Sequence, residues 1–353
     1  MPECLTPVFI IGSARSGTEL MVQILNRHPH VMIAAETHYF DDLRPRIGAA
    51  AQQMPDAGRR AMAEAYFSRL RNGAYGLHGT EHVQGSPAPV AEEDPDHTGI
   101  DALFHQHCLG QARQHGKDVK NLRIWGEKTP RHVFCLPEID LAFPKARFIF
   151  MQRDPRAVIA SYRDWQNHFI DPANARPSLR SALAAEEIRV QRSFSIGIAS
   201  LMWRAAQRAA FCGQKRLGPE RLRIQKFEDL LAEPQQQIAQ VCDFLGIAPC
   251  ADMQAVGRIN SSYGHDRLAG IDASTATAWQ RRISDHESWI IERLCSRPMT
   301  AGGYLPFAKR VHPIALAAEI ARTGARIPLA FVANRHRMGS PLVWALRRMG
   351  IGG

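Results

Sequence analysis

The chain predicts an α/β fold with a central parallel sheet and helices on both faces, three layers in all, and three observations carry that prediction. Residues 8–11 are an apolar run short enough for a buried strand, opening directly into a loop of small residues and a helix start. The order returns at residues 148–151, where a second apolar run leads to Arg153-Asp154-Pro155, with Pro155 placed to open a helix through Tyr162. Finally, 353 residues with 45% apolar content can bury one large core, and α/β domains of this length often stay single.

The first loop, Gly12-Ser13-Ala14-Arg15-Ser16-Gly17-Thr18, lets backbone N–H groups converge at a helix N-terminus, where the dipole favours an anion. A P-loop nucleotide hydrolase or kinase would read G-x-x-x-x-G-K-[ST]. Gly12 and Gly17 keep that spacing, but Thr18 stands in place of the Lys and Glu19 in place of the hydroxyl that holds magnesium. The cation sits inside the loop instead, as Arg15, whose charge is not lost at pH 7. This is a P-loop-like cradle for a phosphate bound without a metal. Glu19 suits the first turn of a helix but would repel a phosphate, so it is expected to point away from the ligand.

A helix over 18–27 follows, then the turn His28-Pro29-His30, an apolar run over 31–35, and Glu36-Thr37. Residues 41–122 read as an insertion, with helices over 56–70 and 101–115 around a Gly/Pro/His/acidic segment at 73–98. Glu92, Glu93, Asp94 and Asp96 there read as a solvated loop or as a contact for a cationic acceptor. Next come Trp125-Gly126-Glu127-Lys128-Thr129-Pro130, the second strand with Arg153 at its end, and Ser161 eight residues on. Residues 164–192 are Arg-rich and helix-competent, suited to a lid. Taken singly, each polar residue has a plain structural reading: Arg153 as partner of Asp154 or Glu127, Ser161 bonded back into its helix, Glu36 in a surface ion pair, Lys128 as a charge on a strand edge.

Together and in order, these segments resemble the PAPS-dependent sulfotransferases, where PAPS is 3′-phosphoadenosine 5′-phosphosulfate. The loop resembles their P-[RK]-S-G-T-[TS] element, with Glu19 as a departure, and residues 125–130 resemble the G-E-K-T-P element of the bacterial branch, which is related to the tyrosyl-protein and Golgi-type enzymes. The H-P turn followed by Glu36 resembles the segment that carries the family's general base, and Arg153 with Ser161 its 3′-phosphate signature. The match is good over 7–162 and softer at 224–230 and 279–282. The resemblance implies transfer of a sulfuryl group from PAPS to a hydroxyl or amine, with no metal. Glu36 would be the base, Arg15 and Lys128 would neutralise charge on the transferring group and leaving oxygen, and residues Gly12 to Thr18 would hold the 5′-phosphate. Arg153 and Ser161 would hold the 3′-phosphate, and Ser262 would add a late contact. His38 and His28 stand as rival bases, since other branches use a His. Two other classes remain open: a small-molecule kinase with a degenerate loop, and a silent nucleotide-binding or membrane-docking protein.

The charge is +10, from 44 Lys and Arg against 34 Asp and Glu, yet residues 309–353 hold eight Lys and Arg against one acidic residue, Glu319. The expected catalytic part, 1–308, is therefore nearly balanced, which argues against nucleic acid as a partner. The tail reads as short helices broken by Pro313, Pro328 and Pro341, either lying on an anionic membrane surface or semi-ordered. Seven dispersed Cys, no room for a signal peptide before the first strand and no run of 18 apolar residues give a cytoplasmic expectation, with peripheral contact at the inner face of the membrane open. Acceptors open to such a fold are small molecules, carbohydrates, lipids and peptides.

Overall fold

The computed structural model describes residues 5–48, 57–71, 99–163, 188, 194–256, 271–307 and 310–338. The proposed lid over 164–192 (Ile188 apart), the acidic residues 92–96 and Ser262 lie outside them. Five strands, β1 (Thr6–Gly12), β2 (Val31–Ala34), β3 (Ile124–Lys128), β4 (Arg147–Gln152) and β5 (Leu222–Lys226), form one sheet in the order β2-β3-β1-β4-β5. Every pairing is parallel. Strands covered on both sides need no polar face, and β1 is accordingly apolar from Val8 to Ile11, all fully buried.

Alternate residues of β1 and β4 enter two cores. Val8, Ile10, Ile149 and Met151 pack with α1 (Thr18–Asn26), α8 (Phe227–Ala232) and α9 (Pro234–Leu245). Phe9, Ile11, Phe148 and Phe150 pack with α2 (Arg44–Ile47), α3 (Ala57–Arg71), α4 (Gly99–Gln114), α5 (Leu136–Ala142) and α7 (Ile196–Leu217). The three-layer α/β expectation is met. A third cluster joins α6 (Pro155–Arg163) and α7 to α10 (Asp285–Ala301).

The sequence reading treats 41–122 as an insertion on the acceptor side, but its described helices also build the core. Phe104 of α4 stacks with Phe9 and Tyr39 at ring-centroid distances of 6.3 and 4.7 Å. Lys128 likewise is no strand-edge charge: β3 is flanked by β2 and β1, and the residue is buried. The tail differs from the short, interrupted helices expected. Pro313 opens a single helix, α11 (Pro313–Met338), that runs through Pro328. Pro328 removes one bond to the carbonyl four residues back, that of Gly324, and both residues are exposed, so water can replace it.

The chain leaves β1 toward β2 on one side and β4 toward β5 on the other, so the connections diverge between β1 and β4. Such a switch point leaves a crevice outside the carboxyl ends of the strands. The register sets Lys128 beside Ile10, Gly12 beside Met151 and Glu127 beside Ala34, which brings four strand ends to one edge.

Candidate active site

The loop leaving β1 is shaped by two left-handed residues, Arg15 (φ 69°) and Gly17 (φ 93°). Ser16 closes the turn, its N–H and hydroxyl donating to the Ser13 carbonyl at 3.1 and 2.7 Å. A Cβ on Gly17 would lie 2.2 Å from the Phe227 ring, so its φ and its neighbour both require glycine. Gly17 caps α1 without a side-chain bond, leaving first-turn N–H groups for an anion. The Ser13 hydroxyl oxygen is buried and has no hydrogen-bond partner among the described residues, which leaves it able to donate to an anion.

From β4, Arg153 donates from Nη1 to the Arg15 carbonyl at 3.0 Å, and its guanidinium lies 4.2 Å from the centre of the Phe227 ring. Ser161 of α6 accepts from Arg15 Nε at 3.1 Å. The two anion sites expected from sequence are thus interlocked through Arg15. Asp154 is held by Arg156 through bonds at 3.0 and 2.6 Å, and Arg156 also reaches Glu292 at 2.8 Å and stacks 4.3 Å from Trp279. In Arg153-Asp154-Pro155-Arg156, the first arginine therefore ties the end of β4 to the loop after β1 while the second locks α6 to α10.

At the ends of β2 and β3 stands a cluster of ionisable side chains. Lys128 Nζ lies 2.6 Å from Glu36 Oε1 and 3.1 Å from Glu19 Oε2. Glu19 is thus turned toward the site, contrary to expectation, because the buried ammonium draws its carboxylate inward. The other oxygen of Glu36 lies 3.2 Å from His38 Nε2. Burial opposes the charge on Glu36, but His38 and Lys128 outweigh it and hold the carboxyl down at about 2. Burial likewise opposes the Lys128 charge, yet Glu36 and Glu19 raise its pKa.

Behind this pair lies a buried chain of ionisable groups. His38, itself left-handed at φ 54°, has Nδ1 3.0 Å from Asp41 Oδ1, and Arg131 bonds Asp41 at 3.1 Å. Asp41 Oδ1 is 3.5 Å from His132 Nε2, and His132 Nδ1 is 3.0 Å from Glu127 Oε2. Glu127 accepts from the Thr37 N–H and hydroxyl at 2.8 and 3.0 Å, and from the Thr129 hydroxyl. Burial pushes His132 down, but Glu127 and Asp41 carry it up to about 9. Tyr66 of α3 donates to the Thr37 carbonyl at 2.6 Å, so the described part of 41–122 braces the segment that carries Glu36.

A family model described as "Sulfotransferase family" matches residues 7–252. The chain belongs to the sulfotransferase family. Among curated relatives it is 24% identical over 241 residues to protein-tyrosine sulfotransferase 2 of Gallus gallus, covering 68% of this chain and 51% of that one. It is 30% identical over 154 residues to protein-tyrosine sulfotransferase 1 of Danio rerio, covering 44% of this chain and 34% of that one. The matches therefore span about half and about a third of those relatives. Among solved structures, the sulfotransferase domain from the curacin biosynthetic pathway aligns with a TM-score of 0.51 at 16% identity, covering 86% of this chain and 99% of that one, which supports the fold.

In this sulfotransferase-family chain the described residues named from sequence gather at one strand edge: Gly12 to Thr18, Glu36, Lys128, Arg153 and Ser161. His28 does not join them. It precedes β2, at the opposite end of the sheet, with Nε2 3.0 Å from the Ala248 carbonyl. Sequence reasoning missed Asp41, Glu127, Arg131, His132 and Phe227. The alternation of acidic residues and histidines at 36–41 and 127–132 was the available signal, but the two segments meet only across some 90 residues of chain, Thr37 with Glu127 and Asp41 with His132.

Proposed function

We propose that this chain moves a sulfuryl group from PAPS to a hydroxyl or amine of an acceptor, with Glu36 as general base. The observation that carries this reading is the convergence of Glu36 and Lys128, 2.6 Å apart, on a loop that has Arg15 in place of a P-loop lysine. The orphaned Ser13 hydroxyl and the glycine-lined turn fit a 5′-phosphate, and the Arg15–Ser161–Arg153 group fits a second phosphate nearby. Bound PAPS supplies a sulfuryl group on a phosphate leaving group. Glu36, ionised in the free protein, takes the acceptor proton as the new bond forms. Lys128 and Arg15 offset negative charge at the reacting end, and the loop amides hold the leaving phosphate. No step calls on a metal. The acceptor classes open to this site are small-molecule, carbohydrate, lipid and peptide hydroxyls, and the likeness to protein-tyrosine sulfotransferases favours peptide tyrosine among them.

Glu36→Gln keeps shape and removes basicity, so labelled-PAPS turnover falls by about 10² to 10⁴ while 3′-phosphoadenosine 5′-phosphate (PAP) binds as before. Retention of more than about a tenth of turnover, with chemistry rate-limiting, would move the role to His38.

A second reading concerns α11. Its inner face packs Thr323 and Ile327 near Gly197 of α7, leaving Ile314, Leu329 and Val332 more than 60% exposed beside Arg322 and Arg326. An apolar strip with basic flanks suits an anionic lipid surface, placing the protein at the inner face of a membrane from the cytoplasm. No described helix is long and apolar enough to cross one.

A further inference from the structure

Lys128 carries one positive charge between two carboxylates, and the two are not equivalent. Glu36 has His38 as a second partner at 3.2 Å, whereas Glu19 makes no other ion pair or side-chain hydrogen bond among the described residues. Lys128 is 9% exposed and Glu19 35%, so Glu19 can swing into water at little cost while the ammonium cannot. Glu19 is the second residue of α1 and departs from the hydroxyl residue of the resembling loop motif. A donor with several negative charges meets two carboxylates and one ammonium at the place where its terminal anion must sit.

We propose that Glu19 is a resident stand-in for the donor's sulfonate: it occupies Lys128 in the free and product-bound protein, and only a ligand carrying an anion at that point displaces it. Glu19 thereby sets how differently the site treats sulfonated donor and desulfonated product. With PAPS bound, Lys128 turns from Glu19 to the sulfonate. Once the sulfonate has left, Glu19 returns, and the product is held by the loop and by Arg153 without help from Lys128. This inference rests on the PAPS reading above.

Calorimetry without acceptor, on the full chain, tests it with PAPS and PAP against wild type, Glu19→Gln, Lys128→Met and the double variant. Glu19→Gln is expected to tighten PAPS about tenfold, the scale of one charge-assisted bond no longer exchanged, and to change PAP less than about threefold. In the Lys128→Met background the gain should vanish, because the competition runs through that ammonium. Equal tightening of both nucleotides, no tightening, or a gain that survives Lys128→Met would each overturn the proposal. Wild type that binds neither nucleotide would instead remove the donor assignment beneath it. Glu19→Ser, with the same expected pattern, guards against an effect peculiar to the amide.

Discussion

Arg153 makes two contacts with one side chain, holding the Arg15 carbonyl at 3.0 Å and lying over Phe227, and in the proposed reaction it also serves the 3′-phosphate. Arg153→Ala should cost about 1.5 to 3 kcal/mol of PAP affinity while leaving AMP binding nearly unchanged, measured by calorimetry. Equal losses for both nucleotides would mean that Arg153 serves the loop and not the 3′-phosphate. Glu36 offers a different lesson. Lys128 and His38 hold it at about 2, which keeps it ionised but makes it a weak base. The positions of Arg15 and Arg153 could be read from the strand–loop–helix pattern, because each follows the end of a strand. The direction of Glu19 could not, since helix-dipole reasoning sees only its own helix and not Lys128, which is 109 positions later in the chain.

At the scale of elements, β1, β4 and the helices after them follow from apolar runs bounded by Gly or Pro, and the structure places them within a residue or two of the pattern. Two things lay beyond that reading. The paired position of β3 depends on strands β2 and β1 enclosing it, which no local pattern states. The continuity of α11 through Pro328 depends on packing of Thr323 and Ile327 against α7, which outweighs a local penalty of about 3 kcal/mol. The outer face of α11 makes its own prediction. Ile314→Glu with Leu329→Glu should abolish salt-sensitive co-sedimentation with anionic vesicles, leave the melting temperature within a few degrees, and leave turnover on a soluble acceptor intact. Undiminished vesicle binding would remove the membrane reading.

For the whole molecule, the buried chain from Glu36 to Glu127 ties stability to pH. His132 has its folded pKa raised to about 9 from 6.5, so its contribution is complete below about 6.5 and fades as pH rises through about 9. Asp41 and Glu127 are shifted down, so theirs is present above the usual carboxylate range and fades in acid. At about 1.4 kcal/mol per unit, the alkaline loss from His132 is on the order of 3 kcal/mol. Denaturant unfolding between pH 7 and 10 should show that fall in wild type and a flatter course in His132→Gln. Parallel curves would assign the loss to other groups.

The central strand of the sheet is also the first to be made. Residues 8–11 have no exposed atoms in the finished protein, yet β3 and β4, between which β1 lies, end only at Lys128 and Gln152. At a synthesis rate of about 5 to 20 residues per second, β1 emerges with both hydrogen-bonding edges bare and waits roughly 5 to 25 seconds for its first neighbour in the sheet. During that interval it is an unpaired apolar strand, the kind of segment that aggregates or recruits a chaperone. The same order means that no amino-terminal fragment ending before residue 152 has the Gly12 loop seated between both of its strand partners, and the proposed nucleotide binding should appear on the ribosome only after β4 has cleared the tunnel.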